Sequence, residues 1–460
     1  MHGGQSFAFF DKDMAEFFVD ANDNEAYQAC EALIYNLNSM HSRAGAQVPF
    51  SSLNIGTDMS DAGRKVTKNI LLAYKAGLGK GENPIFPNII FKVKDGVNVE
   101  PGDPNYDLFK LACEIAGTKL NPTFSFMDSS FNKQYTGDAE VAYMGCRTRV
   151  IGNINGPETT DKRGNLSFTT LNLPRLAIKA KGSIEKFFTL LESKSNLIFD
   201  QLNHRYDIQK NLLVRDMPFI MGQGLYLDSN KLDYNDKIEE SIKHGSMSIG
   251  FIGLAEALVS LTGKHHGEDT DVYELGLSII KLMRKFCDNE TIKRKLNFVL
   301  LATPAEGLSG RFLRLDKKQF GIIPGVTDKD YYTNSFHIPV GYNIGWFSKI
   351  MLEGSFHKYC NAGHITYIES SSPFLYNTEA VINIIKYMKE CDVGYGGINF
   401  PVDFCRSCNY SGVYPKECPS CSSEDINRVR RITGYLSTIN MFNSAKKSEL
   451  KDRGTHIDGV

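Results

Sequence analysis

The sequence predicts an α/β fold over most of its length, followed by a small cysteine-bearing module and a tail. Short extended runs alternate with helical runs as far as about Asp403, and two Cys-x-x-Cys pairs then lie close together. Of the 460 residues, 42% are hydrophobic and 23% charged, with 52 Lys+Arg against 53 Asp+Glu and a formal net charge of −1. That is enough apolar material for a large core without disulfide staples. A disordered chain would be poorer in apolar residues and less balanced in charge, and a coiled coil would not carry 40 glycines. With no basic excess there is no whole-protein electrostatic case for binding nucleic acid.

Taken in order, Val48 to Ile55 and Ile85 to Val93 read as strands. Ile184 to Leu213 has apolar residues at three- and four-residue spacing and reads as one or two amphipathic helices. The apolar window Ser246 to Gly263 carries Glu256 in its middle, so it reads as a buried helix and not as a membrane span. Glu379 to Met388 reads as a helix and Gly397 to Pro401 as a short strand. No repeat or linker stands out, which sets the expected division at 1–403, 404–425 and 426–460.

The first residues hold no basic segment and no apolar stretch of the kind a signal peptide needs, so the ten cysteines are expected in a reducing cytoplasm. Six of them, Cys30, Cys113, Cys146, Cys287, Cys360 and Cys391, are scattered, and a free cysteine is ordinarily a small core residue. Cys30, followed by Glu-Ala-Leu-Ile, reads that way on a helix face. The other four are Cys405, Cys408, Cys418 and Cys421. Two such pairs on short turns can set four thiolates at the corners of a tetrahedron, the geometry of closed structural zinc sites. Gly412 and Pro415 in the nine-residue gap suit a tight connecting hairpin. An iron–sulfur cluster is the rival occupant, since it also takes four thiolates. Neither occupant would leave an open coordination position. A noncatalytic zinc ribbon that binds nucleic acid is the alternative reading of this module.

Past the cysteines comes Arg431-Ile-Thr-Gly434-Tyr-Leu436. An isolated glycine is ordinarily a turn residue at positive φ. These neighbours, however, closely resemble the radical-bearing loop of glycyl radical enzymes. A backbone radical at Cα is stabilised by the flanking amide and carbonyl when the centre is planar, and only a residue without Cβ can flatten freely. Further segments resemble the anaerobic, class III ribonucleoside-triphosphate reductases: His2 to Ser6, Ser42 to Ser52, Tyr143-Met-Gly-Cys146-Arg-Thr148 and Thr170 to Arg175. Leu301 to Gly307, Tyr331 to His337 and Val393 to Pro401 extend the resemblance to the tail.

The resemblance implies a ten-stranded α/β barrel of two half-barrels, its first strand missing here, with a small C-terminal zinc-binding module. It implies that Gly434 stores a glycyl radical installed by a separate radical-SAM activase, and that Cys146, on a loop inside the barrel, is the thiyl radical residue. Asn165 falls where the formate-using branch has an asparagine near formate and the sugar, although a turn asparagine in a Gly-containing hairpin is the plain alternative. Thr148 is a candidate to bond the substrate hydroxyls. Ser370, Ser371 and Ser372, ahead of the helix near Thr378, could offer hydroxyls and helix amides to the substrate phosphates, or simply cap that helix. The implied partners are ribonucleoside triphosphates, formate, the activase, a second catalytic subunit in a homodimer and a separately encoded N-terminal fragment that would supply a second active-site cysteine. Membrane and direct nucleic-acid partners are not expected. Formate-lyase-type enzymes place two adjacent cysteines in the site, and this chain has no Cys-Cys pair.

Overall fold

The computed structural model describes residues 4–41, 48–414 and 416–456. His2, Gly3, the first part of the Ser42–Ser52 segment and Pro415 lie outside them. The strands, in chain order, are β1 (Gln5–Phe7), β2 (Ser51–Ile55), β3 (Asn88–Val93), β4 (Thr123–Phe126), β5 (Ala142–Met144), β6 (Thr148–Val150), β7 (Asn165–Asn172) and β8 (Ser246–Ile252). They continue with β9 (Asn297–Ala302), β10 (Thr366–Glu369), β11 (Tyr395–Asn399), β12 (Val402–Cys405), β13 (Ser411–Gly412), β14 (Ile426–Arg431) and β15 (Leu436–Thr438).

One sheet has the order β1-β2-β3-β4-β11-β10. Its first four strands run parallel, and β11 meets β4 antiparallel. A second sheet, β7-β8-β9, is parallel throughout. Gly363, just ahead of β10, joins the two by bridging Leu301 of β9 and accepting a hydrogen bond from the Ala302 amide at 3.0 Å. The nine strands form one arc with β1 and β7 at its ends. Helices cover the outer face of each sheet and bury two apolar clusters. Ile55, Phe91 and Phe124 anchor the first, and Phe199, Phe251 and Leu300 the second.

Buried parallel strands read as unbroken apolar runs because both faces are covered. That explains one correction. Ser246–Gly263 is not a single helix: it is the central strand β8, a turn at Gly253, then the helix Leu254–Thr262. All seven residues of β8 are buried, so no alternation marked the strand. The helical stretch expected from Ile184 to Leu213 is one helix, Ile184–Gln209, the helix expected from Glu379 to Met388 runs from Thr378 to Glu390, and Cys30 is buried on the helix Asp23–Ser39. The strand expected from Gly397 to Pro401 runs from Tyr395 to Asn399.

Two hairpins position the site. The first, β5–β6, turns at 145–147 and crosses between the sheets. On one side the Tyr143 amide donates to Asn54 Oδ1 at 3.1 Å, and the Gly145 amide donates to Ser52 Oγ at 2.9 Å. On the other side Thr148 bridges Gly363. A Cβ at Gly363 would fall on the Arg147 carbonyl and the Thr148 Cα, so this crossing requires glycine. The second hairpin, β14–β15, belongs to an antiparallel sheet of order β13-β12-β14-β15. The cysteine loops sit at one end of β14 and Gly434 just past the other, a strand length of about 20 Å. Buried Asp403 ties β12 to β14 through Arg430 at 2.8 Å and Arg428 at 3.2 Å.

Candidate active site

The tips of the two hairpins meet. A Cβ on Gly434 would overlap the carbonyl, Cα and Cβ of Cys146, far inside any allowed contact. Gly434 is not among the residues at positive φ, so its backbone does not demand glycine; the space beside Cys146 does. Two residues some 290 apart in sequence are thereby held in backbone contact.

A ring of side chains fixes this contact. Arg147 Nη2 donates to the Thr433 carbonyl at 3.0 Å, and the Tyr367 hydroxyl donates to the same oxygen at 2.9 Å. Arg431 Nη1 donates to the Gly434 carbonyl at 3.0 Å, and its Nε donates to Asn399 Oδ1 at 2.8 Å. Arg453, the residue that follows the C-terminal helix Ser444–Asp452, holds the carbonyls of Arg431 and Ile432 at 2.9 and 3.2 Å. The Thr433 hydroxyl lies 3.9 Å from Cys146 Sγ and donates to Glu306 Oε1 at 3.3 Å. Tyr435 donates to Glu306 Oε2 at 3.2 Å, and its ring packs edge-on against Phe50 and stacks on Phe86. Arg147 and Arg431 are both buried, and among the described residues neither pairs with a carboxylate. Their charge is directed at backbone oxygens.

Burial pushes the Cys146 thiol up to about 11; the Glu306 charge adds to this and Arg147 opposes it. The sulfur therefore keeps its proton at neutral pH and is a thiol, not a thiolate nucleophile.

The other expected residues are placed less centrally. Thr148 opens β6 at the turn end of the first hairpin, opposite Met144. Asn165 opens β7, in register with Ser246 of β8 and, through it, Asn297 at the start of β9; Arg147 points at Ala302, the other end of β9. Asn165 Nδ2 donates to Ser248 Oγ. Ser370 is engaged in its own turn, donating to the Ser372 carbonyl at 2.8 Å, while Ser371 and Ser372 are exposed. The helix Thr378–Glu390 is capped by Asn377, so its amides are not adjacent to the serines. Sequence reasoning singled out neither Arg147, Glu306, Tyr367, Arg431 nor Tyr435 as site residues, although all but Tyr367 lie inside the resembling segments.

The four cysteines converge, their sulfurs all within 4.8 Å of one another, with Cys405–Cys421 at 3.6 Å and Cys408–Cys418 at 3.5 Å. A tetrahedral ion with metal–sulfur bonds of about 2.3 Å needs sulfurs about 3.8 Å apart. The donor set fits one ion more closely than a cluster, which spreads its thiolates over separate irons. Among the described residues no helix is long and apolar enough to cross a membrane.

The family model described as anaerobic ribonucleoside-triphosphate reductase matches residues 1–456. The chain is 34% identical over 449 residues to the Escherichia coli K12 protein of that name, covering 94% of this chain and 62% of that one. It is 33% identical over 464 residues to the enterobacteria phage T4 protein, covering 96% and 74%. It thus spans less than two thirds of the length of the bacterial relative. The fold is similar to that of the anaerobic ribonucleotide reductase from Thermotoga maritima, with TM-score 0.67, 17% identity, and coverage of 96% of this chain and 72% of that one. It is also similar to a glycyl radical enzyme from Archaeoglobus fulgidus, with TM-score 0.58, 12% identity and coverage of 98% and 64%. With the family model matched along nearly its whole length, the chain belongs to the anaerobic ribonucleoside-triphosphate reductase family.

Proposed function

We propose that this chain carries the radical chemistry by which ribonucleoside triphosphates are reduced to deoxyribonucleotides without oxygen. The observation that carries the reading is the backbone contact between Gly434 and Cys146. A radical stored at Gly434 Cα, installed by a radical-SAM activase, takes the hydrogen atom of the Cys146 S–H, leaving a thiyl. The thiyl takes the 3′ hydrogen of the ribose, and the 2′ hydroxyl leaves as water with one added proton. Formate supplies the two electrons and a hydrogen and departs as carbon dioxide, after which the 3′ hydrogen returns and the thiyl is regenerated.

In this scheme the sugar lies along the inner face of β7, from Cys146 towards Asn165. Thr169 bonds Gln201 of the outer helix, so Phe168 and Thr170 face the other way, and Phe168 is 52% exposed there. A large aromatic left open on an inner face is a natural wall for a ligand. Thr148 would bond the ribose hydroxyls and Asn165 the formate.

The nine-strand arc belongs to a ten-stranded barrel around the first hairpin, and Cys405, Cys408, Cys418 and Cys421 hold a structural zinc ion. Bound zinc closes the loops at one end of β14 and takes no part in the reaction. A soluble cytoplasmic setting suits this oxygen-sensitive chemistry.

Anaerobic activation followed by electron paramagnetic resonance tests the reading. A doublet is expected in the wild type and in Cys146→Ala but not in Gly434→Ala, and formate-dependent nucleotide reduction, assayed with the N-terminal fragment added, is expected to be lost in both variants. A doublet that persists in Gly434→Ala, or reduction that survives Cys146→Ala, would overturn it.

A further inference from the structure

The radical reading of Gly434 assigns no role to the two buried guanidiniums that flank it. A glycyl radical is stabilised from two sides: its own carbonyl accepts spin density, and the nitrogen lone pair of the preceding amide donates into it. Anything that makes the Gly434 carbonyl a better acceptor strengthens this delocalisation. Anything that draws the Gly434 nitrogen lone pair towards the Thr433 carbonyl weakens it. The structure has donors on both oxygens. Arg431 bonds the Gly434 carbonyl at 3.0 Å, while Arg147 and Tyr367 bond the Thr433 carbonyl at 3.0 and 2.9 Å.

Resting on that reading, we propose that Arg431 is a positioning residue that tunes the Gly434 Cα–H bond through its charged hydrogen bond to the Gly434 carbonyl, against the opposing pull of Tyr367 and Arg147 on the Thr433 carbonyl. The step it biases is the transfer Gly434 Cα• + Cys146 S–H to Gly434 Cα–H + Cys146 S•, in which one hydrogen atom moves and no other reactant is required. A buried cation bonding a neutral acceptor acts at nearly full strength, because no carboxylate shares its charge and little water screens it. Arg431 is 2% exposed, its other hydrogen-bond acceptors are Asn399 Oδ1 and the Leu120 carbonyl, and its guanidinium lies 5.3 Å from the centre of the Tyr367 ring, all of them neutral. The balance sets how much radical is stored at rest and how readily it passes to sulfur.

The test is the doublet splitting in the spectrum of the activated full chain, which reports spin density on the glycyl Cα through its one remaining hydrogen. Arg431→Gln removes the charge and is expected to widen the splitting by a few per cent. Tyr367→Phe removes only a hydroxyl and is expected to narrow it. A purely structural role would lower radical yield and melting temperature in both variants without shifting the splittings in opposite directions. Unchanged splittings, or shifts of the same sign, overturn the inference. Should Arg431→Gln fail to fold, the nearly isosteric Tyr367→Phe decides alone, an unchanged or wider doublet counting against it. Absence of a Gly434-dependent doublet in the wild type would instead remove the radical reading itself.

Discussion

At Gly434 the surroundings leave no room for a methyl group, because the nearest atoms are backbone of Cys146 and not the far end of a flexible side chain. Gly434→Ala should therefore push the two hairpins apart and cost about 1–3 kcal/mol in denaturant unfolding, as overpacking does. Under air, an activated wild-type chain should be cut at residue 434 and the variant should not; cutting in both would sink the assignment. The Cys146 sulfur makes a second prediction at this scale. Its raised value of about 11 means that the thiol persists below that pH, and thiolate rises tenfold per pH unit towards it. Iodoacetamide should label it on the order of a hundredfold more slowly near neutral pH than it labels an unperturbed cysteine. Labelling at an ordinary rate, followed by mass spectrometry of the peptide, would show that the thiol is not shielded. The residue types at both positions were legible in the sequence through the segments that carry them. Their contact was not, since no local pattern encodes a meeting of two hairpin tips.

The strand β14 runs from the four-cysteine group to the turn that carries Gly434. Cys405 pairs with Ile426 at one end, and Arg431 pairs with Leu436 at the other, where the Gly434 turn begins. Loss of a ligand should fray β12 and β14 from the cysteine end, loosening the second hairpin while leaving the first in place. Cys408→Ser is expected to lose metal, to speed amide exchange across 402–431 and to lower radical yield, with exchange at Tyr143 unchanged. One zinc per wild-type chain by metal analysis is expected; stoichiometric iron and sulfide, or normal exchange in the variant, would refute the link. Elements of this size were legible where one face meets water, as in Ile184–Gln209 and Thr378–Glu390. They were not legible where burial is two-sided. Met247, Ile249 and Phe251 pack against the outer helices, while Ser246, Ser248 and Gly250 fill the other face, so neither face of β8 is marked by solvent-facing residues.

Over the whole molecule, the join between the sheets concentrates buried polar groups. His364 bonds the Tyr143 hydroxyl at 2.8 Å, His357 bonds Thr366 at 2.9 Å, and the two imidazoles lie 4.3 Å apart. Burial holds His357 down to about 3 and His266 to about 4, and with the neighbouring His357 holds His364 well below its usual range. His456, whose Nδ1 accepts the Glu369 amide at 2.9 Å, is held by burial to about 3. These four are neutral in the fold and titrate near 6.5 once unfolded. Below about pH 6.5 the unfolded chain therefore binds more protons than the folded one, and the stability these histidines contribute is lost progressively as pH falls towards the folded values. The slope approaches about 1.4 kcal/mol per pH unit for each histidine, or about 2 kcal/mol each by pH 5. The depressed carboxylates Glu353, whose burial is outweighed by Lys349, and Glu449, whose burial is outweighed by Lys446, lose their contribution only as pH falls below about 4.5. Urea denaturation near pH 7 and pH 5 separates the two groups. The midpoint should drop steeply over that interval, and His357→Asn, which keeps a polar partner for Thr366 and cannot titrate, should flatten the drop by about one histidine's share. An unchanged midpoint would mean that water reaches these imidazoles and that the join between the sheets is open.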